Sequence, residues 1–105
     1  MSKIAIFASG QGSNAGQILR FLKQKESSVQ EAAMISNKTS AGVYEVAEEY
    51  SVPIYHFSNT DFTTGEKIVA LLEENEIGWI VLAGFLRKIE GKLLESYQNK
   101  IINLH

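Results

Sequence analysis

The chain has 105 residues, 45% of them hydrophobic and 21% charged, with a formal net charge of -2 and no cysteine. That length carries one domain at most, burying roughly 60 to 70% of the surface its unfolded form exposes, and the composition is that of an ordinary globular protein. The weak negative charge, without any Lys/Arg cluster, excludes an electrostatic footprint for nucleic acid or an anionic membrane, and the missing cysteine excludes disulfides, thiolate zinc sites and a catalytic thiol. The apolar run after Lys3 is too short for a signal segment or a membrane span and Gly10 ends it, so a cytoplasmic protein is expected.

No repeat, low-complexity tract or linker divides the chain. "KIAIFA" (3–8) is continuously apolar after its lysine, as a strand buried on both faces of a parallel sheet would be. Ala15, Ile18, Leu19 and Leu22 follow with helical spacing. "AAMIS" (32–36) predicts a second strand, and Val43, Val46, Ala47 and Tyr50 a second helix opened by Ser40. "PIYHF" (53–57) is a third strand in which Pro53 fits only the first position or an edge. Thr63 with Glu66 has the form of a capping box for a third helix carrying Ile68, Leu71 and Leu72. "WIVLAG" (79–84) is the most strand-like run, a short fourth helix holds Leu93, Leu94 and Tyr97, and "KIINLH" (100–105) closes the series. Five strands alternating with four helices predict an α/β fold, a Rossmann-like doubly wound parallel sheet. Ligands in such sheets bind beyond the carboxyl ends of the strands. The segments to watch are therefore 9–14, 36–40, 57–60 and 84–89, with Asn103 and His105.

"ASGQGSNAG" lies between the first strand and the first helix and reads G-x-G-x-x-A through Gly10, Gly12 and Ala15. Glycine allows a tight turn and close approach of backbone to ligand, and free N–H groups at a helix start attract an anion. Ser13 and Asn14 add side-chain donors there. The same residues would also serve simply to turn the chain and cap the helix. A dinucleotide site wants an acidic residue after the second strand, where this chain has "SNKTS" with Lys38. That favours a mononucleotide or sugar phosphate. No Gly-Lys-Ser/Thr follows, so this is not a Walker loop.

Strand parity puts Asn103 and His105 on one face of the last strand and Ile102 and Leu104 on the other. An amide donor beside an imidazole suits a developing oxyanion together with proton transfer, although two polar residues at a strand end are also what solvation alone produces. No acidic residue is tied to His105, so neither a Ser-His-Asp set nor a metal set can be assembled; His56 reads as structural. After the fourth strand, "AGFLRK" (83–88) is either an ordinary exit with a solvated Arg87 or a ligand wall whose backbone near residues 86–89 reads the edge of a flat heterocycle.

Taken together, "ASGQGSN", "ISNKTS", "VLAGFLRKI" and "IINLH" resemble the phosphoribosylglycinamide formyltransferase family, folate-dependent enzymes of purine synthesis, and the likeness runs from Ile4 to His105. The resemblance implies that Gly12, Ser13 and Asn14 hold the phosphate of glycinamide ribonucleotide with Gly84 close to that substrate. It implies that Leu86, Arg87, Lys88 and Ile89, with Asn103, line the pocket of the co-substrate 10-formyltetrahydrofolate, and that no metal is needed. Asn103 and His105 would be catalytic, stabilising the tetrahedral oxyanion as the substrate amine attacks the formyl carbon.

Two departures from the family pattern stand out. An arginine before the third helix that serves the folate's glutamate tail is missing from "FSNTDFTTGE". The family also continues past the histidine into a proline-rich loop and a later aspartate that keeps the imidazole protonated; without it His105 is expected to be mostly neutral at physiological pH. The expectation is a single amino-terminal formyltransferase unit, truncated and inactive alone. The alternatives are a formyltetrahydrofolate hydrolase and a nucleotide-binding module without chemistry. No nucleic-acid or membrane partner is expected, and a homodimer is compatible with the sequence.

Overall fold

Five apolar runs form the strands β1 (Ser2–Phe7), β2 (Val29–Ser36), β3 (Ile54–His56), β4 (Trp79–Ala83) and β5 (Ile101–Leu104) in a computed structural model that describes residues 2–24, 29–39 and 41–104. Between them lie the helices α1 (Ser13–Gln24), α2 (Ala41–Glu49), α3 (Asn59–Thr64), α4 (Glu66–Glu74) and α5 (Gly91–Ser96). The strands pair in parallel throughout, in the order β3-β2-β1-β4-β5. The predicted α/β parallel sheet is thus present. The winding direction reverses between β1 and β4, so the carboxyl ends of those two strands form the topological switch point where such sheets bind ligands.

Strand alternation supplies two cores. Ile4, Ile6 and Ala8 of the first strand and its exit join Met34, Val81 and Ala83 under α1 and α2, against Ala15, Leu19, Val43 and Ala47. Ala5 and Phe7 point the other way and join Ile35 and Ile80 under the remaining helices, against Phe62, Ile68, Leu72 and Leu93. A central strand that packs on both faces must be apolar at every position, which is why residues 4–8 carry no alternation. Each fully buried side chain of the size of Ile6 or Phe7 contributes about 1.5 to 3 kcal/mol of transfer free energy.

Pro53 stands just before β3, an edge strand, and its carbonyl accepts the N–H of Met34 at 2.8 Å, as a residue without an N–H requires there. β2 begins three residues earlier than the apolar pattern, at Val29. Ser40, expected to open the second helix, lies outside the described residues.

The third helical segment differs from the sequence expectation. The capping box is not Thr63 with Glu66 but Ser58 with Asp61: the Asp61 N–H donates to Ser58 Oγ and the Ser58 N–H to Asp61 Oδ2, both at 3.2 Å. That backbone donor is the main reason the Asp61 carboxyl lies below the usual carboxylate range. Gly65 then ends α3 with φ of 77°, in the left-handed region, and α4 starts anew at Glu66. A Cβ on Gly65 would lie 2.8 Å from the backbone nitrogen of Leu93. Glycine here breaks one predicted helix in two and lets α5 approach, so there are five helices among the described residues rather than four.

Leu93 of α5 and Tyr97, which caps the end of that helix, are buried four residues apart on one face, while Leu94, off that face, is exposed. The Tyr97 hydroxyl donates to the Ile77 carbonyl at 2.7 Å in a buried setting. Tyr97→Phe keeps the ring and orphans that carbonyl. It is expected to cost about 1 to 3 kcal/mol, read as a lower urea midpoint at unchanged slope. Among the described residues, no helix is long and apolar enough to cross a membrane.

Candidate active site

The turn between β1 and α1 is set by its neighbours as much as by its own residues. Gly12 has φ of 76°, and a Cβ there would meet the Cα of Val43 at 3.1 Å. A Cβ on Gly42 would in turn lie 2.5 Å from the backbone of Gln11. Helix α2 therefore rests directly on the turn, and both contacts are open only to glycine. The Gly16 N–H closes the first helical bond to the Gly12 carbonyl at 2.8 Å. The N–H groups ahead of it have no partner inside the helix and lie beside the exposed residues Ser13 and Asn14, an anion-binding arrangement.

Asn14 faces the other side of the switch point. Its Nδ2 lies 3.3 Å from where a Cβ of Gly84 would be, so the amide sits over the first residue beyond β4. Gly12, Ser13, Asn14 and Gly84 are thereby brought to the ends of adjacent strands, as the sequence reading required.

Beyond Gly84 the chain is pinned by side chains. Phe85 packs edge-on to Phe7 at 5.4 Å between ring centroids and against Phe62 at 5.2 Å. Arg87 is not a solvated cation. Its guanidinium donates to the Asn59 carbonyl at 3.0 Å, to Thr63 Oγ1 at 2.6 Å and to the Glu90 carboxylate at 3.1 Å, and lies 5.8 Å from the Phe62 ring centroid. Only the planar fork of arginine makes these contacts together. Leu86, between the two anchors, is 77% exposed. Lys88 is exposed as well, whereas Ile89 packs inward on the core. An open cavity of about 360 Å³ lies here, lined by Asn37, Lys38, Asn59, Leu86 and Arg87. Of the predicted wall, Leu86 and Arg87 thus border a concave surface, while the side chain of Ile89 belongs to the core.

Asn103 is exposed on β5, in register with Leu82 of β4 and on the same face as Ile101. Its position is two residues short of the level of Gly84 on the adjoining strand. His105 lies outside the described residues. No group of three or more metal-ligating side chains occurs among the described residues.

Residues that the motifs did not single out connect these segments. The Ser9 hydroxyl donates to Asn37 Oδ1 at 2.7 Å and accepts the N–H of Leu86 at 3.3 Å; Asn37 Nδ2 donates to Asn59 Oδ1 at 3.2 Å. One chain of hydrogen bonds runs through all four described segments named from strand ends alone. The available signal was a polar residue immediately after each of the first two predicted strands, Ser9 and Asn37.

The formyl transferase family model matches residues 2–105. The chain is 36% identical over 109 aligned positions to "Phosphoribosylglycinamide formyltransferase" of Bacillus subtilis, covering 100% of this chain and 56% of that protein. Its fold is similar to a crystal structure of glycinamide ribonucleotide transformylase 1 from Geobacillus kaustophilus, with a TM-score of 0.90 and 34% identity over 100% of this chain and 58% of the other. A phosphoribosylglycinamide formyltransferase structure from Streptococcus pneumoniae gives a TM-score of 0.82 and 35% identity over 100% and 57%. The chain therefore spans about half the length of these relatives.

Proposed function

The chain belongs to the formyl transferase family, and on that premise we propose that the protein transfers a formyl group from 10-formyltetrahydrofolate to the amine of glycinamide ribonucleotide, a step of purine biosynthesis. This chain forms one α/β unit of that enzyme and supplies the nucleotide side and part of the folate wall. A cytoplasmic setting fits its lack of cysteine.

The observation that carries the reading is the junction at the switch point. The glycine turn and the loop beyond β4 touch through Asn14 on Gly84 and Ser9 on Leu86, so a phosphate site lies beside a cavity lined by two amides, two cations and the Leu86 side chain. Gly12, Ser13 and Asn14 take the phosphate. Leu86, the Arg87 stem, Lys88 and the backbone at Ile89 face the pterin. Asn37 and Asn59 bring amides to the cavity border, a lining that suits a heterocycle with both donors and acceptors.

In the reaction the substrate amine attacks the formyl carbon and a new C–N bond forms. The formyl oxygen takes the negative charge and is stabilised by the Asn103 amide and by His105. Breakage of the bond between the formyl carbon and N10 of the folate completes transfer, and the proton lost by the amine ends on N10.

Calorimetric titration of the protein with glycinamide ribonucleotide tests the assignment. Saturable binding is expected, competed by inorganic phosphate, with the unphosphorylated glycinamide ribonucleoside at least tenfold weaker, the loss of about one charge-assisted hydrogen bond. Equal affinity for nucleotide and nucleoside would refute the phosphate site.

A further inference from the structure

Ser9 is the residue at which the two halves of the proposed site are fastened together. It is the second residue past β1, 6% exposed, and directly precedes Gly10 of the glycine turn. Its hydroxyl is both donor and acceptor: the Leu86 N–H points to it, and it points to Asn37 Oδ1. Asn37 continues the relay to Asn59. All donors run in the same direction, from the loop beyond β4 through the end of β1 to the end of β2 and the first residue of α3, so that each bond polarises the next.

Leu86 needs such a fastening. A leucine exposed to this degree gains nothing from burial and does not hold its own backbone in place. Its neighbours are fixed, Phe85 by the aromatic cluster and Arg87 by α3 and Glu90. What remains free to rotate is the peptide between Phe85 and Leu86, and the Ser9 hydroxyl is the group that holds its N–H. That peptide also sets where the exposed Leu86 side chain stands relative to the turn.

We propose that Ser9 is a positioning residue for the transfer reaction: through the Leu86 N–H it holds the cavity wall at a fixed height above the phosphate turn. It touches neither substrate. This rests on the assignment above, with folate on the Leu86 side, but the geometric half stands without it.

The test uses Ser9→Ala, Ser9→Thr and Asn37→Ala in the protein as its gene encodes it, with two readouts. Amide hydrogen exchange at Leu86, which needs no ligand, is expected to speed up by about three- to tenfold in Ser9→Ala, the loss of one net hydrogen bond. It should return to within about twofold of wild type in Ser9→Thr, which keeps the hydroxyl. In steady-state kinetics the KM for 10-formyltetrahydrofolate is expected to rise by a similar factor in Ser9→Ala, with kcat and the KM for the nucleotide within about twofold. Asn37→Ala, at a half-exposed position, should move both readouts the same way by a smaller factor.

Unchanged exchange at Leu86 in Ser9→Ala overturns the inference, as does a fall in kcat with the folate KM untouched. Failure of Ser9→Thr to recover either readout in a folded protein also overturns it. If the wild-type protein transfers no formyl group, the functional assignment fails by itself, and the exchange arm alone decides whether Ser9 holds the loop.

Discussion

In the protein as its gene encodes it, Asn103→Ala is expected to lower formyl transfer by about a hundred- to a thousand-fold, the usual loss when one oxyanion donor is removed. The fold should not notice. Asn103 is exposed on β5, and no hydrogen bond of its side chain occurs among the described residues. A surface truncation of that kind shifts stability by about 0.5 kcal/mol or less, so thermal unfolding should match wild type while turnover collapses. Nucleotide affinity should stay within about twofold, because the phosphate is held at the other side of the switch point. Asn103→Asp is the sharper variant: it is nearly isosteric, yet it aims a carboxylate at a developing anion, and it should be at least as damaging as alanine. The measurement is single-turnover transfer at saturating substrates. Retention of more than about a tenth of the wild-type rate by Asn103→Ala would remove this residue from the mechanism.

The sheet could be read from the sequence because residues 4–8, 32–35 and 79–83 are apolar without interruption, and only burial on both faces of a parallel sheet asks for that. Where prediction failed, two local signals competed. Thr63 and Glu66 match a capping box as well as Ser58 and Asp61 do. What decides between them is Gly65, which must sit against the backbone of Leu93, a contact 28 residues away in sequence. Arg87 is a similar case. Its neighbours 86–90 suggest a solvated exit or a ligand-facing cation, and its actual partners on α3 precede it by 24 and 28 residues. The glycine turn was legible because its requirement is intrinsic to the backbone. Ser9 was not, because a serine before a glycine turn is unremarkable until Leu86 is folded onto it. The pattern thus disclosed residues whose chemistry is local, and left hidden the side chains that fasten one segment to another.

Gly12→Val is expected to weaken binding of glycinamide ribonucleotide by at least about a hundredfold. Two costs act together. The left-handed backbone at Gly12 is unfavourable for any residue with a Cβ by about 1 to 2 kcal/mol, and more for a β-branched one. The Cβ would also press on the Val43 Cα at 3.1 Å, with the Val43 and Val46 methyl groups at 3.3 Å. Val43 cannot retreat easily, because it is fully buried and its helix is seated on Gln11 through Gly42. The turn must therefore move away from α2, and the N–H groups at the start of α1 lose their common aim. Charge-assisted hydrogen bonds contribute about 1.5 to 3 kcal/mol each, so losing two accounts for a hundredfold or more. Gly10→Ala separates the causes. Gly10 has φ of 69° but nothing within 4 Å of its would-be Cβ, so it carries the backbone cost without the clash, and its affinity should fall by only about five- to thirtyfold. Calorimetry on both variants, with circular dichroism to confirm folding, checks the ranking. Equal losses at Gly10 and Gly12 would mean that seating on α2 is irrelevant to phosphate binding, and unchanged affinity in Gly12→Val would place the phosphate elsewhere.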